Sequence, residues 1–173
     1  DDALARVHVG TYGLCVSCGA DIEPRRLEAH GGSTLTVTAD HARASGGDFL
    51  SGGDDGRLTR VGLDGSVSPL AAWPGKWVER TAVSSDGIIA VAVGKEIRLL
   101  GLPGGEAERT LTHPASVADL AFSVDGGTLA VSHPGGLTLW PILTPDREPF
   151  RVERPGPHLT LAFSPDGRYL ATA

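Results

Sequence analysis

From residue 30 onward, apolar side chains recur at every second position in short runs, and Gly- and Asp-rich turns separate the runs. Leu35 and Val37 alternate, and Phe49-Leu50 follows a Gly-Gly turn. Ile89, Val91 and Val93 alternate before a tight Gly94-Lys95 turn, and Ile97 and Leu99 resume the pattern after it. Further along come Leu120/Phe122, Leu129/Val131, Leu137/Leu139, Leu159/Leu161/Phe163 and a last run over Tyr169–Ala173. A period of two over a handful of residues predicts β-strands, each with one buried face. The stretch PILTPDREPFRVERPGP predicts an extended connection with one outer strand near Phe150 to Glu153, where proline is tolerated because its missing N–H faces solvent.

The pattern repeats. AVSSDGIIAVAVGKEIRLL at 82–100, AFSVDGGTLAVSHPGGLTLW at 121–140 and AFSPDGRYLATA at 162–173 share a Ser-x-Asp-Gly turn. The turn aspartates, Asp86, Asp125 and Asp166, stand 39 and 41 residues apart. A period of about 40–45 residues built from short strands is the mark of a propeller array. The runs AFSPDGRYLATA and GGLTLW (135–140) carry a resemblance to WD-repeat β-propellers over residues 30–173. LSGGDDGRL, GKWVE, HPGGLTLW and GPHLTLAFSPDGR are similar to one divergent bacterial group of these. The resemblance implies an all-β fold, a partial propeller of about three and a half four-stranded antiparallel blades. The expected blades cover about 30–72, 73–112, 113–156 and 157–173, the last of them incomplete. It also implies a hydrogen-bonded set of His, Ser or Thr, turn Asp and Trp within a blade. His30, Ser51 and Asp54 supply part of this set in the first blade, and His113, Ser132 and Trp140 supply part in the third. The Asp-Gly pairs themselves are read as turns, because glycine supplies positive φ without steric cost.

Composition agrees with many strands and turns. The 173 residues include 24 Gly and 12 Pro, yet 40% are hydrophobic, which is too apolar for low-complexity disorder. The net charge is −6, and the 13 Arg against 2 Lys are scattered rather than clustered, which argues against a nucleic-acid footprint. The longest apolar run, Ile88 to Val93, is strand length and far short of the ~18 residues a membrane helix needs. DDALARV opens the chain without the charged and apolar regions of a signal peptide, and with only two cysteines a reducing, cytoplasmic setting is expected. The absence of Met and the end inside a strand suggest a segment of a longer reading frame. Uncovered outer blades would then favour self-association.

Residues 1–29 have a different character. Short helical stretches flank a Gly-rich knuckle, TYGLCVSCGADIEP, and RRLEA follows Pro24. Cys15 and Cys18, three apart, can both reach one tetrahedral zinc, and Gly13 and Gly19 let the backbone turn around it. ALARVHVGTYGLCVSCGADIEPRRLEA at 3–29 resembles the DksA/TraR zinc finger. That family places a second cysteine pair after the 17 residues Gly19 to Leu35, where this chain has Thr36 and Ala39. Only half of the finger is written, so zinc is expected to bind weakly or not at all unless His30 and His41 complete a set of two cysteines and two histidines. A CxxC redox pair is a further reading of Cys15 and Cys18.

Function follows from the propeller. Rigid blades present loops, and loops carry partners. GKWVER places Lys76, Trp77, Glu79 and Arg80 where the second blade begins, the expected contact site for a protein partner. The leading reading is a non-enzymatic interaction scaffold. The alternative is a zinc-binding regulator of the DksA/TraR type. A propeller enzyme ranks third, since no nucleophile elbow, metal triad or carboxylate pair is present and no catalytic residue is assigned.

Overall fold

The computed structural model describes residues 30, 32–40, 48–105 and 107–173, and every regular element among them is a β-strand. The first blade is β1 (Thr34–Asp40), β2 (Asp48–Gly53), β3 (Arg57–Val61) and β4 (Val67–Ala72). The second is β5 (Arg80–Val83), β6 (Ile89–Val93), β7 (Glu96–Leu100) and β8 (Glu108–Thr112). The third is β9 (Asp119–Phe122), β10 (Thr128–His133), β11 (Gly136–Pro141) and β12 (Phe150–Glu153). Two strands, β13 (Leu161–Phe163) and β14 (Leu170–Thr172), form a further small sheet. Each sheet is an antiparallel meander in chain order, so this is a propeller arc of about three and a half blades.

Turn chemistry sets the registers. Gly56, Gly87, Gly94, Gly126 and Gly167 all adopt positive φ at the hairpins. In the Ser-x-Asp-Gly turns the Asp125 carboxylate accepts from Ser123 Oγ at 2.5 Å and from the Gly127 amide at 3.1 Å. Asp166 repeats this with Ser164 Oγ at 2.6 Å and the Arg168 amide at 3.1 Å. These bonds hold both carboxylates below the ordinary carboxylate range. The turn reading of these aspartates is thereby the observed one.

The single-buried-face expectation needs correcting. All five residues of β6 are buried. Ile89, Val91 and Val93 pack with Leu50, Leu58 and Val78 against blade one. Ala90 and Ala92 point the other way, into a cluster with Leu120, Leu129, Val131 and Ile142 of blade three. Blades stack face to face, so an inner blade has no solvent side, and the run IIAVAV is apolar at every position for that reason. Each buried Ile or Val contributes roughly 1.5–3 kcal/mol. The outer strands β4 and β8 are largely exposed and carry no apolar alternation that would have revealed them. Leu159 falls outside β13 and is 67% exposed. On the face of blade one turned away from blade two, Val37, Phe49 and Val67 are exposed.

Polar stitches join the first strands of successive blades, which lie side by side: β1 by β5, β5 by β9, β9 by β13. Thr38 Oγ donates to the Thr81 carbonyl at 2.9 Å and so accepts from the Thr81 hydroxyl at 2.7 Å. Arg80 Nε donates to the Ala118 carbonyl at 2.7 Å. Asp119 Oδ2 accepts from Thr160 Oγ at 3.0 Å and from the Leu161 amide at 2.9 Å.

Two stability predictions follow from this geometry. Gly136 has φ +150°, and a Cβ there would lie 2.0 Å from the Val152 carbonyl oxygen of the neighbouring strand. Gly94 also has positive φ, but a Cβ would meet nothing within 4 Å. Gly94→Ala should cost about 1 kcal/mol in urea unfolding, and Gly136→Ala at least about 2 kcal/mol more, because backbone must move. Equal losses would show that β11 and β12 do not approach this closely at Gly136. Asp119→Ala should cost about 1–3 kcal/mol by leaving the Leu161 amide unpaired. Hydrogen exchange should quicken at β13 and β14 while β6 stays protected.

Candidate functional site

An antiparallel meander sends alternate connections to opposite edges of its sheet. The hairpin turns at 54–56, 94–95 and 134–135 therefore share one edge of the arc with the between-blade loops 73–79, 113–118 and 154–160. The Ser-x-Asp-Gly turns share the other edge with 62–66 and 142–149.

The 73–79 loop is pinned along its backbone. The Lys76 amide donates to the Trp73 carbonyl at 3.1 Å, Val78 to Gly53 at 3.0 Å and Glu79 to Ala92 at 3.1 Å. Val78 is fully buried between blades one and two. That anchor turns its neighbour outward, and Trp77 is 59% exposed. Trp77 stands between two grooves. One, of about 440 Å³, runs along Lys76, Glu79 and the β6–β7 turn at Val93 to Glu96. The other, of about 220 Å³, is lined by Leu35, Trp77, Glu79, Arg80 and Val117.

The four residues singled out in the sequence have different tasks. Trp77 and Glu79 line both grooves. Lys76 Nζ pairs with Glu96 at 2.8 Å. Glu96 also meets Arg98 at 2.6 Å, and Arg98 meets Glu108 at 2.7 Å, a surface chain of four charges. Hydrogen bonds from Lys76 and then Arg98 hold the Glu96 carboxyl below its ordinary value. Arg80 lines a groove but spends its guanidinium on carbonyls, the Nη1 on Glu79 at 2.7 Å and the Nε on Ala118. It joins blade two to blade three. Glu96 and Val117 were not singled out in the sequence, and Leu35 was read only as a strand residue. Val117 lies 39 residues after Val78, one blade on, so the repeat was the signal that could have found it. Leu35 and Glu96 had no such signal.

The histidines are built into the blades. His30 Nε2 lies 2.9 Å from Ser51 Oγ and Nδ1 lies 3.0 Å from Asp55 Oδ1. Asp55 thus takes the place assigned to Asp54, whose carboxylate accepts instead from the Ser33 amide at 2.8 Å. With both ring nitrogens engaged, His30 could ligate a metal only by leaving these partners. Cys15, Cys18 and His41, the rest of the suggested zinc set, lie outside the described residues. Among the described residues no three His, Cys, Asp or Glu side chains converge as a metal site requires.

In blade three the network has shifted. His113 is 1% exposed, with Nδ1 2.9 Å from the Ala115 carbonyl and Nε2 3.2 Å from Thr138 Oγ. Ser132, expected as its partner, pairs with Leu137 and so points to the opposite face, where its hydroxyl is buried without a partner among the described residues. Val131 stands opposite Thr138 just as Ser51 stands opposite Thr59 in blade one. A valine therefore fills the place of the hydroxyl, and the Trp140 indole N–H is buried without an acceptor among the described residues. Its ring lies 6.5 Å from His113, a packing contact rather than a bond.

No family model matches this chain, and no curated protein matches it. Solved structures do. The β-propeller domain of Myceliophteria thermophila Cps50 (Swd1) superposes with a TM-score of 0.65 at 17% identity, over 83% of this chain and 49% of that one. Saccharomyces cerevisiae Sqt1 superposes with a TM-score of 0.68 at 16% identity, over 90% of this chain and 47% of that one. The chain spans about half the length of these two structures. At such identities the likeness establishes the fold alone: these residues form an arc of a β-propeller.

Proposed function

We propose that this chain is a non-enzymatic protein-interaction scaffold that meets its partner at the Trp77 edge. The observation that carries this reading is Trp77 itself, an exposed indole on a loop whose backbone is fixed, with a groove on either side. Tryptophan is enriched among the few residues that dominate interface energies, and a pre-set loop loses little entropy on binding. Lys76, Glu79 and Glu96 supply polar contacts around the indole. A net charge of −6 with scattered arginines supports a protein rather than a nucleic acid as partner. Asp125 and Asp166 bond to the serines of their own turns and to backbone, which supports a structural task over catalysis. The described residues contain no helix long and apolar enough to cross a membrane.

Selection of peptides from a displayed random library tests the reading. The native chain should enrich a consensus, and Trp77→Ala should weaken its capture by at least about tenfold, the scale of a central interface residue. The fold should be untouched, because the indole is exposed, so the thermal midpoint of Trp77→Ala should match the native chain. Equal capture by Trp77→Ala would move the binding site elsewhere.

A further inference from the structure

Blade three repeats the histidine of blade one in the opposite electrostatic setting. Two residues beyond the matched pair Ser51 and Val131, blade one has Gly53 and blade three has His133. A Cβ on Gly53 would lie 2.8 Å from the His30 ring, so glycine leaves that imidazole room. In blade three a second imidazole occupies the place, its centroid 4.8 Å from that of His113. A carboxylate also faces His30 Nδ1, whereas a carbonyl faces His113 Nδ1.

Counting hydrogens shows what this pair can hold. His113 Nδ1 sits 2.9 Å from the Ala115 carbonyl, and His133 Nδ1 sits 3.0 Å from the Pro134 carbonyl, so each of these nitrogens carries a proton. The Ala115 amide would donate to His113 Nδ1 only if that nitrogen were bare, and at 3.3 Å this contact is longer than the 2.9 Å to the Ala115 carbonyl, which favours the protonated nitrogen. Both Nε2 atoms then accept, and both aim at Thr138 Oγ, at 3.2 Å from His113 and 3.4 Å from His133. The hydroxyl has one hydrogen and serves one of them. A proton added to His133 Nε2 completes the set, donating to Thr138 while Thr138 donates to His113. A second added proton, on His113, leaves the Thr138 hydrogen without an imidazole acceptor and sets two cations side by side.

We propose that His113, Thr138 and His133 form an acid-sensitive latch on the 113–118 loop, closed with at most one added proton and opened when both imidazoles are charged. The groups that bear on His113 are consistent with this. His133 on β10 and Arg151 on β12 both disfavour its charged form. Blade two offers it backbone, the Lys95 carbonyl accepting from its amide at 2.8 Å, while the Lys95 side chain is exposed. Burial is the largest cause holding His113 below its ordinary value of 6.5, with the Ala115 bond opposing. A group whose charged form is disfavoured by folding takes up its proton more readily in the unfolded chain. Stability is therefore full above about pH 6.5 and falls as the pH drops below it. Asp125 and Asp166 act in the same direction, but only below their ordinary value of 3.8. The loop carries Val117 of the Trp77 groove and the Ala118 carbonyl that holds Arg80, so an open latch would also loosen the proposed binding edge.

The test is a histidine NMR titration with parallel urea unfolding from pH 7.5 to 5. Native protein should lose stability across that range, with faster amide exchange in 113–118. His133→Gln should raise the titration midpoint of His113, because it removes a like charge beside the ring, and should shrink the loss. Thr138→Val, nearly isosteric, should weaken the latch at neutral pH and flatten the profile. A flat native profile, or an unchanged His113 midpoint in His133→Gln, would overturn the proposal. Peptide capture is read separately at pH 7.5, where the latch is closed, so a failure at Trp77 is distinguishable from a failure here.

Discussion

A β-sheet has two faces, and the second blade of this chain loses both of them to its neighbours. Its central strand carries bulk on one side, Ile89, Val91 and Val93, and only methyl groups on the other, Ala90 and Ala92. The flanking blades answer this division. On the bulky side blade one offers Gly52, where a Cβ would sit 2.1 Å from the Val78 side chain, so glycine is what lets the loop into blade two close down. On the thin side Leu120, Leu129, Val131 and Ile142 fill the space the alanines leave. Stability in stacked repeats resides mainly in such neighbour interfaces. The two interfaces here hold nearly all of the buried apolar side chains.

The site inherits its rigidity from that packing. Val78 belongs to the interface between blades one and two, and Trp77 is the next residue, so burying one side chain determines where the other points. Arg80, two residues after Glu79's neighbour Val78, then reaches across to the Ala118 carbonyl and fixes the loop of the following blade. A surface that resists deformation can bind without first being ordered, which is how a scaffold gains affinity from modest contacts.

Blades one and three show how a shared hydrogen-bond set drifts without losing its fold. His30 keeps a serine and a carboxylate. His113 has lost both, because Val131 stands where the serine would be and Gly135 where Asp55 would be, while His133 takes the place of Gly53. Thr138 on the adjacent strand rescues one nitrogen. The Trp140 indole N–H and the Ser132 hydroxyl, buried without partners among the described residues, record the cost. Both blades still close, because the apolar faces carry the folding energy and the polar set only tunes it.

By itself the sequence determined the repeat, the turns and the inner strands. The Ser-x-Asp-Gly signature and the positive-φ glycines are local chemistry, and alternation over Leu129/Val131 or Ile97/Leu99 is enforced by the pleat. It also marked Trp77, because a tryptophan among charged residues at a blade boundary has no core to serve. What it could not determine depended on contacts between residues far apart in the chain. The outer strands β4 and β8 lack alternation because solvent covers them, and only their pairing with β3 and β7 makes them strands. The burial of both faces of β6 needed the flanking blades. That Val131 rather than Ser132 stands opposite Thr138 turned on a one-residue difference in register, which in a sheet moves a side chain to the opposite face, and the choice of Asp55 over Asp54 was made inside the hairpin turn. Arg80 looked like a surface cation beside Trp77, and only the third blade, arriving 38 residues later with the Ala118 carbonyl, made it a clamp.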